Sequence, residues 1–368
     1  MTDLPPPAPQ ETTRFPCPNC GADYRFAPKQ AKLVCDHCGH EEATEQGDRD
    51  AAIAELDFKA ALAEQLPAAE MVETRASSCP NCAAHVVFEG DTHATECPFC
   101  ATPVVVDTGT HRQIKPRAVL PFQLAERTAH DAMNTWLGKL WFAPNGLADY
   151  ARKGRKMNGV YVPYWTYDAD TKSRYQGERG TVYYVTETVM RDGKPEQRQV
   201  QKIRWRPAAG RVKRWFDDVL VLASRALPKR YTDALQPWDL SKLEPYSPEF
   251  LAGFQAEGYS VELQDGYDEA RAHMDAVIRR DVAFDIGGDR QRIHHISTAV
   301  NDVTFKHILL PVWMAAYKYR GKTYRFVVNG QTGRVQGERP YSAIKIAIAV
   351  TLGLLAAAAI GYIIAQNQ

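Results

Sequence analysis

Beyond residue 100 this chain of 368 residues has no cysteine, and from residue 346 to 365 it has no charge. The first absence confines thiol and thiolate–metal chemistry to the N-terminal third. The second removes that stretch from the class of solvated surface helices. No apolar run opens the chain: positions 1–13 (MTDLPPPAPQETT) read as a disordered, proline-rich leader and not as a secretory signal. Phosphate-binding loops are missing as well. The lone Gly321-Lys322-Thr323 has Ala316 where a Walker A loop needs glycine, and it falls on an expected hairpin turn. GxSxG, HExxH and GxGxxG are also absent. We therefore assign no catalytic residue and no organic cofactor, and expect a protein that is not an enzyme.

What is present is a doubled cysteine pattern. Cys17-Pro-Asn-Cys20 is followed by Cys35-Asp-His-Cys38, and Cys79-Pro-Asn-Cys82 by Cys97-Pro-Phe-Cys100, with the same interval between the two turns of each pair. Two CxxC turns facing each other complete a tetrahedron of thiolates around one Zn²⁺, so two structural zinc sites are expected. Disulfides would need an oxidising compartment, and a redox motif would need only one pair beside a βαβ unit. With four cysteines each the sites are closed, and the metal stabilises the fold without doing chemistry. His37, His40, His85 and His93 are expected at the periphery of the sites, not as ligands.

Net charge is only +1, but it is unevenly placed. Residues 1–110 hold 18 Asp+Glu against 7 Lys+Arg (−11); the remainder holds 38 Lys+Arg against 26 Asp+Glu (+12). Each zinc tetrathiolate would add about −2. Phosphate backbones are bound by neutralisation with Lys and Arg, so the acidic ribbon region is expected to meet protein and not nucleic acid. Basic clusters follow at Arg152-Lys153 and Arg155-Lys156, and at Arg204, Arg206, Arg211, Lys213 and Arg214, interleaved with Trp205 and Trp215. They read first as a solvated face, then as a surface for anionic lipid, and last as one for single-stranded nucleic acid.

Residues 346–365 (IAIAVTLGLLAAAAIGYIIA) span roughly 30 Å at ~1.5 Å per residue, enough to cross a bilayer. Arg334, Arg339 and Lys345 flank the stretch on its N-terminal side and no charge follows it. By the positive-inside rule a single-pass, tail-anchored protein of the cytoplasmic (inner) membrane is expected, its N-terminal bulk in the cytoplasm. Gly353, Ala357 and Gly361, spaced by four, form a small-residue stripe suited to helix–helix association.

The expected fold class is α+β. Two N-terminal rubredoxin-like zinc ribbons (14–46 and 76–107) follow the leader (1–13) and flank a helical connector (47–75). A mixed body rich in antiparallel strands (108–341) leads to one C-terminal transmembrane helix (342–365). In the connector, Ile53, Leu56, Ala60 and Leu62 predict an amphipathic helix over 48–66, stopped by Pro67. In the body, Met133, Trp136, Leu137 and Leu140 predict a helix, and Val160–Tyr167 a buried strand. A hairpin is expected around Asp192-Gly193, with strands at 181–190 and 198–206. Asp265 is expected to cap a helix bearing Ala270, Met274, Val277 and Ile278, and 303–340 to form a three-stranded meander. Residues 208–250 show no clear period. Leu310-Pro311-Val312-Trp313 echoes Val162-Pro163-Tyr164-Trp165, which points to an internal repeat. Asp281, Asp285 and Asp289 are read as a solvated acidic turn, and adjacent His294-His295 as pointing to opposite faces of a strand.

These features carry a resemblance. The two CPNC-type ribbons, Leu120-Pro-Phe122, Trp141-Phe-Ala-Pro-Asn145, Gly159-Val-Tyr-Val-Pro-Tyr-Trp165 and Asn329-Gly-Gln-Thr-Gly333…Gly337-Glu-Arg-Pro340 before a hydrophobic tail resemble bacterial TFIIB-type double zinc-ribbon membrane proteins. Some members are labelled primosomal protein N′ (replication factor Y) superfamily II helicase. Without a Walker A loop, helicase activity is rejected here. The chain is also similar to the membrane-anchored zinc-ribbon subunit that partners SPFH-domain and PspA-type phage-shock proteins in envelope stress. That similarity implies an adaptor docking protein partners at the cytoplasmic membrane face. The alternative expectation is a membrane-associated nucleic-acid-binding or transcription-linked zinc-ribbon protein.

Overall fold

A computed structural model of the chain describes residues 15–28, 30–44, 53–87, 94–97, 99, 102–105, 110–144, 157–191, 194–319 and 322–366. Its class is the expected mixed α+β, with more of the described residues in strands than in helices. At the N-terminus β1 (Tyr24–Ala27), β2 (Lys32–Cys35) and β3 (Glu41–Ala43) form a small antiparallel sheet. The connector departs from expectation. Leu56–Asp57 is a strand (β4) laid against Thr304 and Phe305, and α1 is only Phe58–Leu62. Two interactions override the helical period. Asp57 Oδ1 accepts the Ala60 amide at 2.7 Å and starts the helix late, and Phe58 is buried among Tyr167, Tyr267 and Phe305. Residues 48–52 of the predicted helix lie outside the described residues.

The second cysteine set is framed by β5 (Met71–Ser78), β6 (His85–Val87), β7 (Ala94–Glu96), β8 (Pro103–Val105) and β9 (Thr110–Ile114); β10 (Ala118–Val119) then enters the body. α2 (Glu126–Gly138) forms where its period predicts and buries Ala129, Met133 and Leu137.

The body is organised by strands far longer than the sequence reading expects. β11 (Asn158–Arg191) and β12 (Lys194–Leu222) make one hairpin in continuous register from Trp165↔Val221 to Arg191↔Lys194, with a single bulge beside Asp168. The turn at 192–193 lies outside the described residues. After the short α3 (Lys229–Asp233), β13 (Glu244–Pro245) and β14 (Gln255–Gly258), the long α4 (Leu263–Ile286) leads into β15 (Arg290–Tyr319). β15 pairs antiparallel with β11 along most of its length and turns into β16 (Lys322–Asn329) and β17 (Val335–Gly337), the expected meander. The two echoing segments are neighbours in this pairing: Val162 faces Leu310 and Tyr161 faces Pro311.

Burial along β11 tells where the sheet leaves the core. From Gly159 to Ala169 every residue is buried, as in a strand covered on both faces. From Asp170 the pattern alternates: Thr171, Ser173 and Tyr175 are buried while Lys172, Arg174 and Gln176 are exposed. α4 covers the buried side, its Ala270, Met274, Ile278, Val282 and Ile286 stripe packing with Tyr175 and Phe216. β15 stops pairing at Arg290↔Gly180, so from Thr181 to Arg191 only β11 and β12 continue. This is a two-stranded arm roughly 36 Å long at ~3.3 Å per residue.

α4 also corrects the reading of the three aspartates. Asp281 and Asp285 are helical, and each of the three accepts from a different part of the sheet. Asp281 pairs with Arg214 (2.5 and 2.7 Å), Asp285 takes the Tyr175 hydroxyl (2.5 Å), and Asp289 takes the Val182 amide (2.8 Å). They fasten the helix to the ribbon of strands.

Candidate metal centres

The cysteines are positioned by four copies of one backbone turn. Cys17 N–H donates to Ala22 O (2.7 Å), Cys35 to His40 O (2.9 Å), Cys79 to Ala84 O (2.8 Å) and Cys97 to Thr102 O (2.8 Å). In three of them a second bond closes the turn: the amides of Gly21, Gly39 and Ala83 donate to the carbonyls of Cys17, Cys35 and Cys79. The residue after the second cysteine takes a left-handed backbone, with φ of 75° at Gly21, 74° at Gly39 and 58° at Ala83. Glycine does this freely; at Ala83 the Cβ is strained.

The turns bring the sulfurs together. Cys17, Cys20, Cys35 and Cys38 lie within 4.8 Å of one another, as do Cys79, Cys82 and Cys97; Cys100 lies outside the described residues. Adjacent sulfurs are 3.5–3.6 Å apart in the first cluster, and Cys82 and Cys97 are 3.5 Å apart. A disulfide needs about 2.05 Å, whereas a tetrahedron with metal–sulfur bonds of ~2.3 Å has edges of about 3.8 Å. The spacing fits a metal tetrathiolate. Two thiols of the first cluster are shifted in opposite directions. The His40 backbone N–H bonds the Cys38 sulfur and lowers its pKa to about 6. At Cys20 the Ala22 N–H acts likewise, but burial and the neighbouring sulfurs outweigh it and push the thiol up to about 12. Four thiols this close ionise together only when a cation shares their charge. His40 and His85 sit beside the clusters without entering them: His40 Nδ1 bonds the Tyr24 hydroxyl at 2.5 Å.

Neither cluster hangs free of the body. Phe26 of the first donates its amide to Ala252 O (3.1 Å) and packs edge-on against Phe250 (5.3 Å). In the second, β6 pairs with β14, placing Glu257 opposite Val86, and Cys79, Cys97 and Phe99 share a core with Leu120, Val160 and Leu310. Glu257 is buried at this joint. Ser224 Oγ donates to its Oε1 (2.8 Å), yet burial pushes its carboxyl up to about 8. A second polar knot ties β4 to the sheet. Lys306, 8% exposed at its side chain, reaches Glu55 Oε1 (2.8 Å) and Asp218 Oδ1 (2.9 Å). The bulged Asp168 accepts the Asp218 amide (2.7 Å); its burial and the adjacent Glu55 raise its pKa. No sequence motif marks Glu257 or Lys306, because their partners come from remote strands.

α5 (Ala343–Gln366) is long and apolar enough to cross a membrane over Ala343–Ile364, and none of that segment is buried against the protein. Gly353 and Gly361 have no heavy atom near an added Cβ, so the Gly353–Ala357–Gly361 stripe is open. Of the basic residues predicted on one face, Arg214 is paired with Asp281, whereas Arg211 and Lys213 stand directly across from Arg174 and Lys172. Residues 145–156, with the other basic cluster, lie outside the described residues.

Among the described residues, fold and site together define an α+β protein with two cysteine clusters suited to zinc-ribbon-like metal binding and one helix long and apolar enough to span a membrane. The chain is 26% identical over 348 residues to a Bacillus subtilis (strain 168) protein, "Uncharacterized protein YdjG", covering 90% of this chain and 92% of that one. No family model and no solved structure matches.

Proposed function

We propose that the chain is a non-enzymatic zinc-ribbon adaptor, anchored by α5 in the cytoplasmic membrane, that docks protein partners at the cytoplasmic face. The metal in both clusters is Zn²⁺, which suits a closed all-thiolate tetrahedron, and Cys100 completes the second. Arg334, Arg339 and Lys345 ahead of the span favour a cytoplasmic body, and the open small-residue stripe favours association of spans in the membrane.

The observation that carries this reading is the arm. Its strands pair with nothing but each other among the described residues, and Tyr184, Val189, Met190 and Ile203 are exposed on it. Bare strand edges with apolar side chains are the means by which a second chain adds to a sheet. The resemblance drawn from the sequence points to SPFH-domain and PspA-type proteins as partners and to envelope stress as the setting. The test is a pull-down of full-length protein in mild detergent, compared with a variant whose arm is cut back. Val182 and Ile203 face each other, so an Asn-Gly turn can join them. A stoichiometric protein that co-purifies with the intact chain and is lost with the arm supports the reading. A solitary protein, or a partner indifferent to the arm, refutes it.

A second reading has its own observation. On the uncovered face of the strands, Lys172 stands directly across from Lys213 and Arg174 from Arg211, with Trp215 exposed close by on the same strand. Like charges directly opposite destabilise a sheet unless an anion meets them; Asp170 meets Lys172 (3.3 Å), so the Arg174–Arg211 pair carries this reading. Salt-dependent binding of single-stranded DNA by the full chain would favour a nucleic-acid role.

A further inference from the structure

The turn after α2 exposes two aromatic side chains. Trp141 is 79% exposed and Phe142 41%, while Leu140 and Ala143 on either side pack into the core. The same turn holds the root of α5. The Ser342 amide donates to Phe142 O (2.8 Å), and Lys345 Nζ donates to Ala143 O (2.8 Å). Tyr341, 58% exposed, stands at this junction with the Arg339 guanidinium 5.2 Å from its ring centre.

Distances along the helix give the turn a depth. Lys345 is the last charge, so the uncharged span begins at Ile346, one helical turn after Ser342, whose amide is bonded to Phe142. At ~1.5 Å of rise per residue, Phe142 O lies about 6 Å outside the start of that span. The headgroup layer is itself about 5–7 Å thick on each side of the hydrocarbon. Tryptophan and tyrosine concentrate in that layer, where an apolar ring and a polar N–H or O–H are both accommodated.

We propose that the Trp141–Phe142 turn is a second membrane contact, an aromatic wedge seated in the phospholipid interface beside the span. Its occupant is the bilayer that α5 enters, and the proposal rests on reading α5 as a membrane span. Two attachments, α5 and the wedge, fix the tilt of the body, because Lys345 and Ser342 tie them together. A plain solvent-exposed turn has no such effect.

The test uses the full-length, zinc-loaded protein in vesicles of phosphatidylcholine and phosphatidylglycerol, with and without lipids brominated near the headgroup end of their chains. Trp141→Phe removes one indole at an exposed position and leaves the core untouched. The difference in emission between wild type and W141F isolates Trp141 from the other tryptophans. We expect that difference spectrum to be blue-shifted and to lose most of its intensity in brominated vesicles, while both proteins float with the vesicles and resist alkaline carbonate. A difference spectrum with the maximum of water-exposed indole, unquenched in vesicles that still carry the protein, overturns the wedge and leaves the span standing. Protein that stays behind when vesicles float overturns the span and the wedge with it.

Discussion

Replacing Glu257 by glutamine should convert a pH-dependent joint into a pH-independent one. Glu257 is 3% exposed between β14 and β6, where the second ribbon meets the body. Burial is the main cause of its raised pKa; the Ser224 hydroxyl and the His85 backbone N–H offset it only in part, leaving it at about 8. An unfolded chain has the carboxyl near 4.5. A raised acid contributes stability that is full below the unfolded pKa and lost as pH rises through the folded one. At 1.36 kcal/mol per unit, the loss between about 4.5 and about 8 amounts to roughly 5 kcal/mol. Glutamine keeps the volume and the Ser224 bond but has no proton to lose. The stability of E257Q relative to wild type should therefore climb by about 1.4 kcal/mol per pH unit across this window. From about pH 5 to about pH 8 that is ~4 kcal/mol, or a Tm difference growing by ~8–16 °C for a body of this size. Thermal unfolding of the zinc-loaded protein in detergent, at several pH values, reads it directly. If the two Tm curves run parallel with pH, the carboxyl is not held protonated at the joint.

The remaining predictions concern the clusters and the second knot. Cys79→Ser should release about one zinc of two and loosen the second ribbon while leaving membrane association intact, as measured by metal content and flotation; unchanged zinc would sink the two-site assignment. Ala83→Gly should stabilise the second ribbon by about 1 kcal/mol, because glycine adopts the 58° φ without strain. Chelator titration should show that ribbon holding its metal longer, and an earlier loss would refute the strain. Lys306→Met should cost about 3–5 kcal/mol in denaturant unfolding, since Glu55, Asp168 and Asp218 then share a site without their cation. A variant as stable as wild type would mean that water reaches the knot.

How much of this was legible in the sequence depends on the range of the forces involved. The cysteine turns were, because each is closed by bonds between near neighbours in the chain. The apolar stripes of α2 and α4 were as well: at helical spacing they match the buried residues Met133 and Leu137, and Ala270, Met274 and Ile278, although α4 begins at Leu263 and holds Asp265 in its first turn, not at its cap. The connector was not. Leu56 and Ala60 fit a helical stripe, and what decides for a strand at Leu56 is β15, which arrives from the far end of the chain. The long strands were cut short in the reading because their charged residues look like breaks. They are one half of an in–out alternation whose other half, Thr171, Ser173 and Tyr175, lies under α4. That alternation was the available signal. Glu257 and Lys306 gave none, since a carboxylate or an amine is marked as buried only by strands that arrive from elsewhere.

The length of β11 bears on how such molecules meet. Asn158 sits at the end where α2 and the root of α5 attach, Met157 being bonded to Glu126 and Trp136 packed edge-on against Phe326. Arg191 is the other end of the same strand. At ~3.3 Å per residue the tip stands up to about 110 Å from the end where α5 begins. A partner held at the tip, as proposed above, would sit up to about that distance from the root of α5, so one molecule could reach partners far outside the footprint of its own body.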